Sequence, residues 1–237
     1  MSNGMYGGGS GGSGGIEGVM LAVVTNNKDP DKIGRVKLKF PHREITQETD
    51  WVRCLTFMGG KDRGSLFVPE VNDEVLVAFH MGDFNQPYVI GSLWNKSNPA
   101  PVGDENNNIR KIKSKSGHEF IFDDTSSKEK VTLQTKKGSK IEFTDSTEEI
   151  KLTDKSGKNN LTIVGSGSGK LTLTSSSTKI EISGTGDVTI SSSKEVTIKS
   201  TQIKIEASAA LNLKGGGTVD IKSDGIVNIK GAMVKIN

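Results

Sequence analysis

The sequence predicts an all-β protein that consists of a small barrel followed by a long array of short strands. Ile and Val together number 38 against 13 Leu in 237 residues, and this balance favours strands over helices. Short segments that alternate apolar and polar residues recur along the chain. In its last third these segments repeat with a period close to eight residues, which is typical of a repeat architecture.

The first part of the chain has the signals of a five-stranded barrel. Residues 1–15 form a Gly/Ser-rich flexible linker of the kind that is usually engineered, and they take no part in the predicted fold. Residues 16–95 contain both tryptophans and five strand-like segments separated by turn residues, without a long helical pattern. This arrangement favours an OB-type barrel. The strands are expected at Gly18–Val24, Gly34–Phe40, Trp51–Phe57, Glu74–Phe79 and Tyr88–Ile90.

A polar connector at residues 96–108 separates the barrel from a series of triplets, in which two apolar residues flank a polar one. Over residues 109–170 the triplets are about 9 to 11 residues apart, and we expect a neck of hairpins there. Over residues 171–237 the mean spacing falls to about 8. The nine triplets of this octad region are Leu171–Leu173, Ile180–Ile182, Val188–Ile190, Val196–Ile198, Ile203–Ile205, Leu211–Leu213, Val219–Ile221, Val227–Ile229 and Val234–Ile236.

The octad period predicts an intertwined homotrimeric β-helix, a three-sided prism. One unit buries two aliphatic side chains, which cannot offset the entropy lost by ordering eight residues, so the units must stack. Coils of single-chain β-helices are longer than eight residues, whereas three chains wound together fit the period. No aromatic residue follows Phe143 and no proline follows Pro101, as a narrow core of this kind requires. The predicted trimer core consists of Ile180, Ile182, Val188, Ile190, Val196, Ile198, Ile203, Ile205, Leu211, Leu213, Val219, Ile221, Val227 and Ile229.

Composition and charge argue against several classes of protein. The net charge of +3 lacks the strongly basic balance of a nucleic-acid binder, so no nucleic-acid partner is expected. Residues 1–108 hold 10 Lys+Arg against 13 Asp+Glu, so the barrel is acidic while the repeats are basic. Cys54 is the only cysteine, which excludes an intrachain disulfide. Without a long apolar run or a signal peptide, we expect a chain that is assembled in the cytoplasm.

The residues that could carry chemistry do not form a set. His42, His80 and His118 are far apart in the sequence, and His118 lies in a segment typical of a hairpin turn. The carboxylates of Asp123 and Asp124 precede Thr-Ser-Ser, which favours a turn over a metal site. Cys54 lies on an apolar strand, where a core role is favoured over that of a nucleophile. We therefore predict no catalytic residue, no cofactor and no metal, and the chain is not expected to be an enzyme.

Several segments resemble the central spike proteins of contractile injection systems, in particular the VgrG family and the cell-puncturing spike of T-even phages. The resemblance covers about residues 16–237. It is carried by Gly18–Lys37 with Phe40–Pro41, by Val68–Val77, by Pro87–Asn95 and by Ser116–Asp124.

The resemblance implies a non-enzymatic homotrimeric spike at the tip of a tail tube, in type VI secretion, a phage, a tailocin or an extracellular particle. Such a spike pierces the target cell envelope and is delivered outside the cell or into the target. The implied partners are hub and baseplate proteins, tail-tube proteins, a PAAR-type tip protein and effector cargo. The surface that would bind the tip protein consists of Met233, Val234, Ile236 and Asn237.

Two departures from the family pattern stand out. A Gly/Ser linker occupies the place of the upstream hub domain, and no histidine follows His118, so the iron-binding histidines of some phage tips are missing.

An alternative is a trimeric tail fibre or tailspike that binds or cleaves surface glycans. Such sites usually use aromatic platforms and paired carboxylates, and the repeats hold no aromatic beyond Phe143. A single-chain β-solenoid enzyme does not fit the octad period.

Overall fold

The computed structural model of the chain describes residues 16–43, 47–101 and 104–236, and within them the protein is all-β, as predicted. The linker expected at residues 1–15 and the tip residue Asn237 lie outside this range. The strands form a five-stranded sheet, a nine-stranded sheet and a separate two-stranded hairpin. One 3-10 turn, His80–Gly82, is the only helical element in the part of the chain that is described.

The five-stranded sheet contains the five strands expected in the first part of the chain, in the order β2-β1-β6-β7-β3. Its neighbours are antiparallel except for β3 and β7, which run parallel. The third strand is much shorter than the expected Trp51–Phe57. The strands of this part are β1 (Val19–Asn26), β2 (Lys37–Lys39), β3 (Arg53–Cys54), the hairpin strands β4 (Gly59–Gly60) and β5 (Arg63–Gly64), β6 (Glu74–Phe79) and β7 (Pro87–Leu93).

The five-stranded sheet closes into a barrel through one bridge between Val36 and Val52. The Val36 N–H donates to the Val52 carbonyl at 2.9 Å, and the Val52 N–H donates to the Val36 carbonyl at 2.8 Å. These residues directly precede β2 and β3, which are the two edge strands of the sheet. The bridge therefore joins the two edges, and closure removes the unpaired strand edges that an open sheet would present.

The interior of the barrel is built from alternating residues of these strands. Along β6, Val75, Val77 and Phe79 point inward while the residues between them are less buried. Phe40, Phe79 and Phe84 pack together with ring centroids 5.2–6.0 Å apart. The barrel thus has its own core, which is independent of the repeats. The buried apolar residues are Ala22, Val24, Val36, Leu38, Phe40, Val52, Val75, Val77, Phe79 and Val89.

The nine-stranded sheet is an antiparallel meander, in which each strand pairs with the strands before and after it in the chain. Tight turns connect the strands, and Gly138 and Gly157 adopt positive φ angles of 94° and 73° in two of them. The strands are β8 (Ile109–Lys113), β9 (Glu119–Asp123), β10 (Lys130–Gln134), β11 (Lys140–Thr144), β12 (Glu149–Thr153), β13 (Asn159–Val164), β14 (Lys170–Ser175), β15 (Thr178–Ser183) and β16 (Val188–Ser191).

The end of this sheet does not coincide with the start of the octad period. The sheet passes residues 170 and 171 without a break, and β14 to β16 contain the first three octad triplets, paired within the chain. From residue 192 to residue 236 no strand is formed. A β-helix shared among three chains is a property of an assembly, so for these last octads it stays a prediction.

Candidate assembly surface

Strand pairing in the nine-stranded sheet places the apolar triplets directly opposite one another. Leu133 lies opposite Ile141, and Ile141 lies opposite Leu152. The other member of each triplet is two residues away, on the same face of its strand, and pairs in the same manner. Each triplet therefore adds one side chain to each of two parallel apolar rows, and both rows lie on one face of the sheet.

We call this face the apolar ladder, and much of it is open to solvent. Leu133 is 54% exposed, Leu152 is 50% exposed and Val188 is 64% exposed. A continuous apolar surface of this extent marks an interaction site, because a soluble monomer rarely leaves one uncovered. The ladder consists of Phe120, Phe122, Val131, Leu133, Ile141, Phe143, Ile150, Leu152, Leu161, Ile163, Leu171, Leu173, Ile180, Ile182, Val188 and Ile190.

The opposite face of the sheet is mainly polar, and several of its charges are paired. The Nζ atom of Lys113 lies 3.0 Å from the Glu119 carboxylate, and that of Lys111 lies 3.9 Å from it. The Gln134 side chain donates to the same carboxylate at 3.0 Å. The Lys113 hydrogen bond, helped by Gln134 and Lys111, holds the pKa of Glu119 below its usual value. This face is suited to water and the apolar ladder to a partner.

The chain beyond β16, which we call the extended segment, bends about every eight residues and has no strand partner within the described residues. Residues 193–236 are all exposed, and they take part in no strand pairing. They also form no backbone–backbone hydrogen bond with the rest of the described chain. An alternating apolar segment with unsatisfied backbone groups needs other strands to pair with, because ordering it alone gains neither hydrogen bonds nor buried area.

The structure places the fourteen predicted core residues in two different settings. Ile180 lies opposite Ile190 and Ile182 lies opposite Val188, so these four belong to the apolar ladder. The other ten lie in the extended segment, where they are 47–71% exposed and are not paired with one another. Their burial in a trimer core is untested and stays a prediction. Of the predicted tip residues, Met233, Val234 and Ile236 are exposed.

The apolar ladder begins earlier in the chain than the predicted trimer core, whose first residue is Ile180. The register shows the same two rows continuing back through β9 to Phe120 and Phe122, whose rings meet edge to face with centroids 4.7 Å apart. The signal for this extension was present in the sequence, because the triplets between residues 109 and 170 have the same alternation as the octads. The difference in spacing between the two regions lies in the turns.

The barrel is joined to the start of the sheet by a small polar contact. The Nζ atom of Lys115, in the turn between β8 and β9, lies 2.8 Å from the Glu70 carboxylate of the barrel and lowers the pKa of Glu70. The Asn27 side chain donates to the Pro69 carbonyl at 3.1 Å, which ties the loop after β1 to the same place. An exposed ion pair contributes little to stability. The junction therefore depends more on the conformation of the loop that contains Asn27.

Asp29 fixes the conformation of that loop. Its carboxylate accepts hydrogen bonds from the backbone N–H groups of Asp31 and Ile33, both at 3.1 Å, and from that of Arg35 at 3.2 Å. The Arg35 Nη2 atom donates to it at 2.7 Å. The Asp29 side chain is only 4% exposed. The Arg35 guanidinium holds the pKa of Asp29 well below its usual range.

We expect Asp29→Asn to lower the melting temperature of the barrel by several degrees. The amide nitrogen that replaces one carboxylate oxygen cannot accept the hydrogen bonds of Arg35, and three N–H donors compete for a single remaining acceptor. Thermal unfolding followed by circular dichroism measures the effect. Asp31→Asn is the matched control, because Asp31 is 66% exposed and the change should leave the melting temperature almost unaltered.

The same carboxylate sets a pH dependence. Since the pKa of Asp29 is lowered on folding, its stabilising effect is complete above the ordinary aspartate pKa of about 3.9 and is lost as the pH falls through the folded-state value. The difference in melting temperature between the wild type and Asp29→Asn should therefore persist from neutral pH down to about 4 and shrink only in stronger acid. A difference that disappears between pH 7 and pH 5 would contradict the assignment.

The only cysteine of the sequence lies in a setting that does not activate its thiol. Cys54 is half-buried beside the barrel core, and burial raises the pKa of its thiol to about 11, so it is protonated at neutral pH. No group of three His, Cys, Asp or Glu side chains that could hold a metal ion occurs in the described residues. Over the same residues, no helix is long and apolar enough to cross a membrane.

Comparison with known proteins agrees with the architecture of the barrel. Residues 20–94 match the family model of the Type VI secretion system/phage-baseplate injector OB domain. These bounds include all the barrel strands except the first residue of β1. The OB-type barrel predicted from the spacing of five strands is confirmed.

Three curated proteins illustrate the wider similarity. The Type VI secretion system spike protein VgrG3 of Vibrio cholerae is 28% identical over 52% of this chain and 13% of its own length. The spike protein VgrG5 of Pseudomonas aeruginosa is 35% identical over 41% of this chain and 13% of its own. The actin cross-linking toxin VgrG1 of Vibrio cholerae is 27% identical over 52% and 12%. The predicted resemblance to VgrG spike proteins is confirmed, although the chain spans only 12–13% of the length of these relatives.

Proposed function

We propose that the chain is the subunit of a non-enzymatic homotrimeric spike at the tip of a contractile injection system, and that the spike pierces the envelope of a target cell. The observation that carries the proposal is the apolar ladder. It begins next to a barrel that matches the injector OB domain and is continued by an extended apolar repeat. The similarity to type VI secretion spike proteins supports the same reading.

Three copies satisfy the geometry better than two. Two ladders packed face to face would bury the apolar rows but would leave the extended segment beyond β16 without strand partners. Three ladders facing a common axis form a closed prism, in which the extended segments of the three chains can pair edge to edge. The backbone groups of residues 193–236 then gain hydrogen bonds, and their apolar side chains leave water.

The proposed mechanism is mechanical. Nine stacked strands separated by about 4.7 Å give the sheet alone a height of roughly 40 Å, and the extended octads lengthen the needle further. Hydrogen bonds along such a prism, within each chain in the sheet and between chains in the octads beyond it, resist bending and fraying when contraction drives the spike forward. The ion pairs of the outer face keep that surface soluble, so the particle would not adhere to itself along its sides.

The partners follow from the position proposed for the spike. Its barrel end would meet hub, baseplate and tail-tube proteins, and its far end would carry a PAAR-type tip protein and, through it, effector cargo. The exposed apolar residues Met233, Val234 and Ile236 supply a small tip surface for that contact, together with Asn237. The target envelope is the final partner. The proposed spike needs no cofactor and no nucleic acid.

Size measurement in solution tests the proposal most directly. We expect size-exclusion chromatography with light scattering to give about 76 kDa, three times the chain mass of 25.3 kDa. A stable monomer would overturn the proposal, and a dimer would favour the face-to-face packing rejected above. A pull-down with candidate hub and PAAR-type proteins then tests the partners separately.

A further inference from the structure

A groove of about 330 Å³ on the barrel is not part of the assembly surface. It lies between the start of β3 and the loop that enters β7, and Trp51, Arg53, Phe84, Gln86 and Tyr88 line it. The apolar ladder contributes no residue to it. The groove combines aromatic rings with groups that can form hydrogen bonds, as ligand sites on proteins usually do.

Two guanidinium groups rest on aromatic rings that line the groove, although of the two arginines only Arg53 lines it itself. The Arg53 guanidinium carbon lies 4.9 Å from the centroid of the Tyr88 ring, and its Nη2 atom donates to the Tyr88 hydroxyl at 2.9 Å. The guanidinium carbon of Arg43 lies 4.5 Å from the centroid of the Phe84 ring. Neither group forms an ion pair with a carboxylate of the described residues, whereas Arg35 and Arg110 both do. Their bidentate hydrogen-bonding capacity is therefore available to an anionic group.

The carboxylates near the groove do not pair with these two guanidinium groups. Asp83 is turned into its own loop, where it accepts hydrogen bonds from the Asn85 N–H at 2.9 Å and from the Gln86 amide at 3.1 Å. Asp50 also lines the groove, and its carboxylate would repel a ligand that carries negative charge along its whole length. The Nζ atom of Lys37 is paired with Glu48 at 2.9 Å. The setting favours a ligand with a few separated carboxylates.

We propose that this groove binds a short polypeptide segment that carries acidic side chains. A saccharide would stack on ring faces, but cations occupy one face of each ring, with Lys37 over Trp51 at 5.6 Å in addition to the two arginines. A nucleic acid presents a phosphate at every residue, which Asp50 opposes and two guanidinium groups cannot neutralise. Separated Glu or Asp side chains match two forked donors, and the groove is large enough for only a few residues.

The test uses the full chain and the fluorescence of Trp51, with Trp94→Phe removing the other tryptophan. The probe is the capped peptide Ac-Ala-Glu-Ala-Glu-Ala amide, and the matched control probe has Gln in place of Glu. We expect saturable binding of the Glu peptide that weakens with added salt and no measurable binding of the Gln peptide. Arg53→Gln should weaken binding about tenfold, because charge-assisted hydrogen bonds are lost.

Arg63→Gln is the matched protein control, because Arg63 is an exposed arginine of the β4–β5 hairpin and does not line the groove. Should Arg53→Gln disturb the fold of the barrel, as seen by circular dichroism, Arg43→Gln provides the second test, because it removes the guanidinium that stacks on the Phe84 ring of the groove. Equal affinity for the Glu and Gln peptides, equal affinity in the arginine variants, or binding of only trigalacturonate or a thymidine tetranucleotide would overturn the proposal. The mass of the assembly is measured separately, so failure here leaves the trimer test untouched.

Discussion

Ile198→Asp is expected to prevent assembly, so that the variant elutes near 25.3 kDa instead of about 76 kDa. Ile198 lies in the extended segment, where it is 68% exposed in the single chain. In the proposed trimer, three copies of this side chain meet at one level of the closed apolar core. Three carboxylates at that level would be buried without partners, at a cost of several kcal/mol or more, which the packing of one repeat cannot offset.

The neighbouring residue provides the matched control. Thr197 is the middle residue of the same triplet, so alternation along a strand places it on the outer face of the prism. Thr197→Asp should therefore assemble as the wild type does. Light scattering measures the mass of each variant, and circular dichroism reports whether the barrel is still folded. A stable Ile198→Asp trimer, or equal effects of the two substitutions, would show that Ile198 does not face inward.

The barrel could be predicted from the sequence because each of its strands buries one face, so that apolar and polar residues alternate along the strand. Val75, Val77 and Phe79 on β6 show this pattern clearly. The third strand is shorter than the sequence predicts, since pairing as a strand ends after Cys54 although apolar residues continue to Phe57. Leu55 and Phe57 are instead exposed beside the β4–β5 hairpin. Alternation shows which residues could form a strand, whereas the partner strand decides where pairing ends.

The repeats show what periodicity leaves undecided. An eight-residue period predicts short stacked strands, but a backbone N–H donates equally well to its own chain or to another. The turns decide between the two. Between β13 and β14, Gly167 and Gly169 adopt positive φ angles, and Gly186 does so before β16, which allows tight reversals and antiparallel pairing within the chain. Ser191 is the last residue paired in this manner.

The groove beside Tyr88 could not be predicted from the sequence. Arg53 on β3 is far in sequence from Phe84 and from Tyr88 on β7, and the parallel pairing of β3 with β7 brings their side chains to one place. The apolar ladder differs in this respect, because neighbouring strands of a meander are also neighbours in sequence. A surface made by strands that are neighbours in sequence can be inferred from spacing, whereas a surface made by strands that are distant in sequence requires knowledge of which strands pair.

Leu38→Ala is expected to lower the free energy of unfolding of the barrel by about 2–5 kcal/mol while leaving the assembly trimeric. Leu38 is fully buried among the ten core residues of the barrel, and removal of its isobutyl group loses buried apolar area and leaves a cavity. No residue of this core belongs to the apolar ladder. The stability of the barrel and the association of the repeats should therefore respond to different substitutions.

Denaturant unfolding followed by the fluorescence of Trp51 measures the stability of the barrel, and light scattering in buffer measures the mass of the assembly. Lys39→Ala is the matched control, since Lys39 follows Leu38 on β2 and is exposed, so its loss should change stability by less than about 0.5 kcal/mol. If Leu38→Ala also dissociated the trimer, the barrel would have to take part in assembly. The ladder and the extended octads would then not be sufficient to hold three chains together.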